Sequence, residues 1–212
     1  KKINSFPVNL NSWQRENYQR NYISNCLNQA KEDDIVLISD LDEIPNLENV
    51  NFGNYNEKII VFNQRLFFYK LNYGAKISSW HGTRACQKKF LKSPQWLRNL
   101  KTHKRYKFYR LDKLLFSSIY ERNFKIINNG GWHFTWLGDL DFIKNKLKSF
   151  AHTELNNPIV NNDNYIKKCI DELKPIENKH NIELSKLSIN EINLPTYVVQ
   201  NIDKYRSLLD VN

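Results

Sequence analysis

Asp33-Asp34-Ile35-Val36-Leu37-Ile38-Ser39-Asp40-Leu41-Asp42-Glu43-Ile44-Pro45 is the stretch that decides the fold. Its centre, Ile35 to Ile38, is short, apolar and rich in β-branched residues, which reads as a buried strand. The strand runs straight into three carboxylates, Asp40, Asp42 and Glu43. In α/β proteins ligands gather beyond the carboxyl ends of buried strands. Carboxylates crowded there lose hydration and repel one another unless something compensates. A divalent cation would do so, and oxygen ligands suit Mg²⁺ or Mn²⁺. Such an ion can bridge the two phosphates of a nucleoside diphosphate and stabilise it as it leaves. Asp40 and Asp42 are therefore the candidate metal ligands. A turn that caps a helix near Pro45 would use the same residue types.

Working outward, residues 12–31 read as a helix, with Trp13, Tyr18, Tyr22, Cys26 and Ala30 recurring at three- and four-residue steps. Strands are expected at 58–63, 65–70, 84–91 and 124–128. Helices are expected at 141–151, with Asp141 as its cap, at 163–173, and after Pro195. No repeat or linker divides the chain, so residues 1–212 read as one α/β domain. The expected architecture is a mixed, mainly parallel sheet with strand 35–39 at its centre and helix 12–31 packed on one face.

Composition narrows the class. The chain of 212 residues carries a net charge of +10, a surface that attracts polyanions or a diphosphate-bearing substrate. The basic residues concentrate between Lys88 and Lys125, interleaved with aromatics, which leaves a nucleic-acid-binding module as an alternative. No RNP, KH or zinc-finger signature accompanies the tract. Three scattered cysteines make neither a disulfide framework nor a zinc site. No apolar run reaches the ~18 residues of a membrane span, and no signal peptide is visible. With no Asn-x-Ser/Thr acceptor either, a cytoplasmic setting is expected. The chain has no methionine and opens on Lys1-Lys2, which reads as a fragment or a processed form.

The same D-x-D can be read differently. Haloacid-dehalogenase-type phosphatases also place two aspartates after a strand, the first as nucleophile and the second as acid. Gly138-Asp139-Leu140-Asp141 would then supply the later acidic pair.

Beyond that turn, RLFFYKLNY (65–73), WHGT (80–83), GGWHFTW (130–136), KLKSFAHTE (146–154) and LPTYVVQNIDKYRSLLD (194–210) follow in order. Together with the acidic turn they resemble glycosyltransferase family 17 across nearly the whole chain. That family includes the enzyme that adds the bisecting N-acetylglucosamine to N-glycans. The resemblance implies a GT-A-like fold and an inverting transfer of N-acetylglucosamine or another hexose. It also implies a nucleotide-sugar donor, UDP-linked, with a metal at Asp40-Leu41-Asp42, and a glycan or glycoprotein acceptor. Family members carry an upstream segment with the first strand of the nucleotide-binding half, and this sequence begins after it, so a domain truncated at its N-terminus is expected.

Roles follow from the chemistry. Inversion needs a carboxylate to take the acceptor's proton on the side away from the diphosphate. Glu154 and Asp139 are the candidates for that catalytic base. His133 and His152 are placed to reach the metal or a phosphate oxygen, His152 as a metal ligand and His133 on the acceptor side. Trp132 and Trp136 would wall the acceptor sugar. Arg84 is a candidate diphosphate clamp, because a guanidinium binds phosphate through two parallel hydrogen bonds. Gly130-Gly131 would let the backbone pass close to a ligand.

Overall fold

The computed structural model describes residues 11–48, 50–76, 79–102, 121, 123–149, 153–177, 181–188 and 191–210. Eight strands form one curled sheet among these residues. They are β1 (Ile35–Ile38), β2 (Glu43–Pro45), β3 (Ile59–Phe68), β4 (Tyr73–Ala75), β5 (Trp80–Gln87), β6 (Phe124–Ile127), β7 (Gly131–Thr135) and β8 (Leu184–Lys186). The α-helices are α1 (Ser12–Tyr22), α2 (Pro94–Asn99), α3 (Leu140–Ser149), α4 (Asp163–Asp171) and α5 (Thr196–Gln200).

The hub is β3. Its first half pairs antiparallel with β5 and parallel with β6, and its second half pairs antiparallel with β4 and parallel with β7. Eight of its ten residues are buried, so both faces are covered. The polar triplet Asn63-Gln64-Arg65 suggests two strands in the sequence, yet a single strand runs through it. Gln64 is 1 % exposed, donates to Thr83 Oγ1 at 3.2 Å and accepts from the Thr83 N–H at 3.2 Å. The irregularity survives as a register shift between Val61 and Asn63.

Two expectations are corrected here. Strand β1 is not central: among the described residues it pairs only with β5, and antiparallel. Its burial alternates, with Val36 and Ile38 inward and Ile35 and Leu37 half-covered, as suits a strand with one fully packed face. The sheet is mixed but not mainly parallel, since among the described residues only β3–β6 and β3–β7 run parallel. A four-residue apolar run cannot by itself separate a central strand from a terminal one.

The first helix also differs. It ends at Tyr22 and continues as a 3-10 helix over Ile23–Leu27, and neither element buries a residue fully. Its aromatic stripe is largely exposed, with Trp13 at 47 % and Tyr22 at 50 %. Its side chains make polar bonds to α2: Arg20 donates to Gln95, and Asn21 Oδ1 accepts from the Gln95 N–H.

Elsewhere the apolar faces pack as their periodicity requires. Ile143 and Leu147 of α3 join Ile166 and Cys169 of α4 beneath the second half of β3. On the other side, Phe67 and Leu71 meet Trp132, Phe134, Leu194, Val198 and Leu209. The chain's last described residues are tied down by polar bonds as well. Asn72 donates to the Asp210 carbonyl and accepts from the Asp210 N–H, and the Tyr73 hydroxyl donates to the Asp210 carboxylate.

Strands β6 and β7 read as one line beside β3, broken at Asn128–Gly130. The glycine pair expected to approach a ligand instead approaches other strands. Gly131 has φ +128°, and a Cβ there would lie 2.1 Å from the Ile44 carbonyl oxygen. The missing side chain therefore permits the β2–β7 pairing, which carries the acidic turn. Gly131→Ala should lower stability by more than about 2 kcal/mol in urea denaturation. Gly53→Ala, in a turn where the nearest atom is the Asn51 side-chain oxygen at 3.2 Å, should change it by less than about 1 kcal/mol.

Candidate active site

The acidic turn leaves the end of β1 and folds back into β2, held by hydrogen bonds of its own. The Glu43 N–H donates to the Asp40 carbonyl at 3.1 Å, and Ser39 Oγ donates to the Glu43 carbonyl at 2.8 Å. Three surrounding elements each send one cation to it: Arg20 from α1, Arg98 from α2 and Lys146 from α3.

Glu43 lies deepest, its side chain wholly buried. An ionised carboxylate in such a place costs several kcal/mol unless its oxygens are satisfied. Here they are. Arg98 donates through both Nη1 and Nη2, at 3.0 and 2.9 Å; Trp80 Nε1 donates at 2.8 Å and the Asp40 N–H at 3.1 Å. Arg98 also reaches Asp40 Oδ2 at 2.6 Å and the Gly82 carbonyl. The other Asp40 oxygen accepts from Arg20 at 2.9 Å. Asp40 is thus clasped by two guanidiniums.

Asp42 points elsewhere. Lys146 Nζ donates to its Oδ2 at 2.9 Å, and His133 Nε2 stands 3.5 Å from Oδ1. Burial alone would raise the Asp42 pKa, but His133 and Lys146 together pull it far below the usual carboxylate range. Its backbone carbonyl accepts from the Phe134 N–H, which pins the turn to β7. His133 is directly opposite Glu43 in the β2–β7 ladder, and its ring stacks on Trp80 at 4.6 Å.

Of the residues expected at the site, the structure brings together Asp40, Asp42 and His133. Arg84 turns inward instead. It is 7 % exposed, and its Nη1 donates to the Leu97 and Arg98 carbonyls. Those groups lie in the last turn of α2, where carbonyls lack helical partners. Arg84 therefore holds the helix end that presents Arg98, and the cations facing the acidic turn are Arg98 and Arg20. Trp132 and Trp136 are each 6 % exposed: Trp132 lies in the core with its Nε1 on the Asn193 carbonyl, and Trp136 packs in the core beneath Lys146. Asp139, not Asp141, caps α3, its Oδ1 accepting from the Phe142 N–H at 2.8 Å. Glu154 is exposed in a 3-10 turn, Thr153–Leu155, beyond the end of α3. His152 lies outside the described residues.

Sequence reading missed Arg20, Arg98, Lys146 and Trp80. Three adjacent carboxylates signal that cations must come from somewhere, but 32 basic residues offer no way to choose. Among the described residues no three His, Cys, Asp or Glu side chains stand together as a metal cage. Mg²⁺ and Mn²⁺ in phosphate chemistry need only one or two protein carboxylates, with phosphate and water completing the shell. Asp42 fits that demand: its lowered pKa keeps it ionised, it is partly exposed, and among the described residues its Oδ1 has only the long approach of His133. Asp40, with both oxygens taken by arginine, fits less well.

The Asp42 shift sets a pH dependence. Its folded pKa is depressed, so the stabilisation is complete above the unfolded value near 3.9 and is lost as pH falls through and below it. Asp42→Asn should be less stable than the parent chain at pH 7. The gap between the two should begin to narrow as urea titrations are moved from pH 5 toward pH 3, with most of the loss falling below that.

The sequence model of glycosyltransferase family 17 matches residues 5–212. No curated protein and no solved structure matches the chain. A match over essentially the full length, joined to an acidic turn at a strand end ringed by cations, leads to one conclusion: this chain belongs to glycosyltransferase family 17 and is a glycosyltransferase.

Proposed function

We propose that the chain moves N-acetylglucosamine or another hexose from a UDP-linked donor to a glycan hydroxyl, with inversion and with Mn²⁺ or Mg²⁺ bound at Asp42. The observation that carries this is the charge pairing at the turn. Three carboxylates face three cations, with Arg20 shared with Glu16, and only one of those cations is easily released. Arg20 and Arg98 have side chains 13 % and 10 % exposed and several partners each. Lys146 is 23 % exposed and bonds one carboxylate.

A diphosphate arriving beside Asp42 offers Lys146 a doubly charged partner. The ammonium swings from Asp42 to the phosphate oxygens, which frees Asp42 Oδ2. A metal bound there, with Asp40 behind it, would supply positive charge to the departing diphosphate. Arg20 and Arg98 keep Asp40 and Glu43 in place throughout. The acceptor hydroxyl comes from the opposite side of the sugar, where Glu154 takes its proton as the new bond forms. Asp139, whose carboxylate already serves α3 as a cap, is the second candidate.

The phosphatase alternative finds no support. Its nucleophile would be Asp40, whose two oxygens are both held by arginine. The nucleic-acid alternative finds none in the described part of the basic tract, where Lys88 and Lys89 turn to Glu32 and Asp33. Residues 103–120 of that tract lie outside the described residues. No described helix is long and apolar enough to cross a membrane.

Two measurements test the reading. Glu154→Gln should lower kcat by about 10²- to 10⁴-fold with UDP and Mn²⁺ affinities unchanged, because it removes proton transfer and not donor binding. Full activity in that variant moves the base to Asp139. Lys146→Ala should keep Mn²⁺ binding in calorimetry and weaken UDP binding, since it removes a phosphate partner and leaves Asp42 in place. Unchanged UDP affinity would remove Lys146 from the donor site.

A further inference from the structure

We propose that Trp80 is the stacking platform for the sugar ring of the donor, a reading that rests on the proposed transferase activity. The two tryptophans expected to face a sugar are in the core, so among the described residues at the turn the aromatic surface that pyranose recognition uses has to come from elsewhere. Trp80 supplies it. It is 37 % exposed, although it adjoins a wholly buried carboxylate.

Three contacts fix the indole. Its Nε1 donates to Glu43 Oε1 at 2.8 Å, and it stacks on the His133 ring at 4.6 Å with an interplanar angle of 34°. It also lies against Gly82, where an added Cβ would come within 2.9 Å of Trp80 Cδ1. A tryptophan whose sole duty was to cover the Glu43–Arg98 pair would gain by sinking inward, since its apolar area stabilises only when removed from water. This one is held rigid by its polar edge and one face while much of its surface stays in solvent. Rigid, exposed aromatic surface beside buried polar partners is the form a binding anchor takes.

Position selects the occupant. Trp80 touches His133, and His133 touches Asp42, where the diphosphate is proposed to sit. The transferred sugar is joined to the β-phosphate and the ribose to the α-phosphate. The proposed pose therefore sets the β-phosphate beside Asp42 and the sugar ring over the indole, with the acceptor arriving from the opposite side of that ring.

Fluorine NMR of the full chain labelled with 5-fluorotryptophan tests this without relying on turnover. Five tryptophans give five resonances, and Trp80→Phe assigns the one in question. With Mn²⁺ present, UDP-N-acetylglucosamine or UDP-glucose should move the Trp80 resonance well beyond the effect of UDP. Trp80→Leu should weaken UDP-sugar affinity by about 3- to 10-fold in calorimetry with UDP affinity unchanged, and Trp80→Phe should restore most of it. An equal shift with UDP, a shift only with a glycan acceptor, or no shift while calorimetry shows the UDP-sugar bound would each overturn the platform and leave the transferase reading standing. If neither UDP nor any UDP-sugar binds, the UDP-donor reading falls and the platform falls with it. The wild-type titration decides the matter even if the leucine variant does not fold.

Discussion

Glu43 is a carboxylate with no exposed side-chain surface, and its four hydrogen bonds organise everything around it. Remove Arg98, and a buried charge is stranded at a cost of about 3–5 kcal/mol. The demand propagates outward. Arg98 can meet it only if α2 ends where it does, and that end is secured by Leu97 in the core and by Arg84 on the last carbonyls. Helix α2 starts where it does because Ser93 caps it and Pro94 fits its first turn. A chain of ordinary local preferences thus ends in the placement of one guanidinium.

The three cations at the turn divide the work by how firmly each is held. Arg98 and Arg20 are planar forks with several partners, suited to geometry that stays fixed. Lys146 is a point charge on a flexible stem resting over the Trp136 ring at 5.1 Å, suited to changing partners. This pairing explains how three adjacent acids are tolerated before any ligand arrives. It also revises the first inference drawn from them: crowded carboxylates call for positive charge, and protein side chains supply it here as readily as a metal would.

The acidic turn itself, the strand at 124–127 and the helices 140–149 and 163–171 were legible because each rests on local signals: a run of apolar residues, a period, a cap. The short strands β2, β4, β7 and β8 carry no such signal and are not expected from the sequence. The rank of β1 in the sheet was not, since Ile-Val-Leu-Ile is compatible with either one packed face or two. Gln64 hid the continuity of β3, because a polar residue in a strand reads as a break unless its partner, Thr83, is known. The site's aromatics were misread for a related reason. Trp132, Trp136 and Trp80 are chemically alike in sequence, and only the sheet decides which one stays partly in solvent. Arg84, expected to face the ligand, and Arg98, not expected at the site, lie fourteen residues apart, and the fold turns the first inward and the second toward the acids.

The bonds between Asn72 and Asp210 span 138 positions of the chain, and Phe67 and Leu71 share a core with Leu194, Val198 and Leu209. Contacts this far apart in sequence slow folding, since a long loop must close before any of them forms. During synthesis the apolar side formed by Phe67 and Leu71 at the end of β3 therefore waits, uncovered, until residues 194–210 have emerged. At ~5–20 residues per second the 138 positions take roughly 7 to 28 s, a window in which chaperone binding or aggregation competes with completion of the fold.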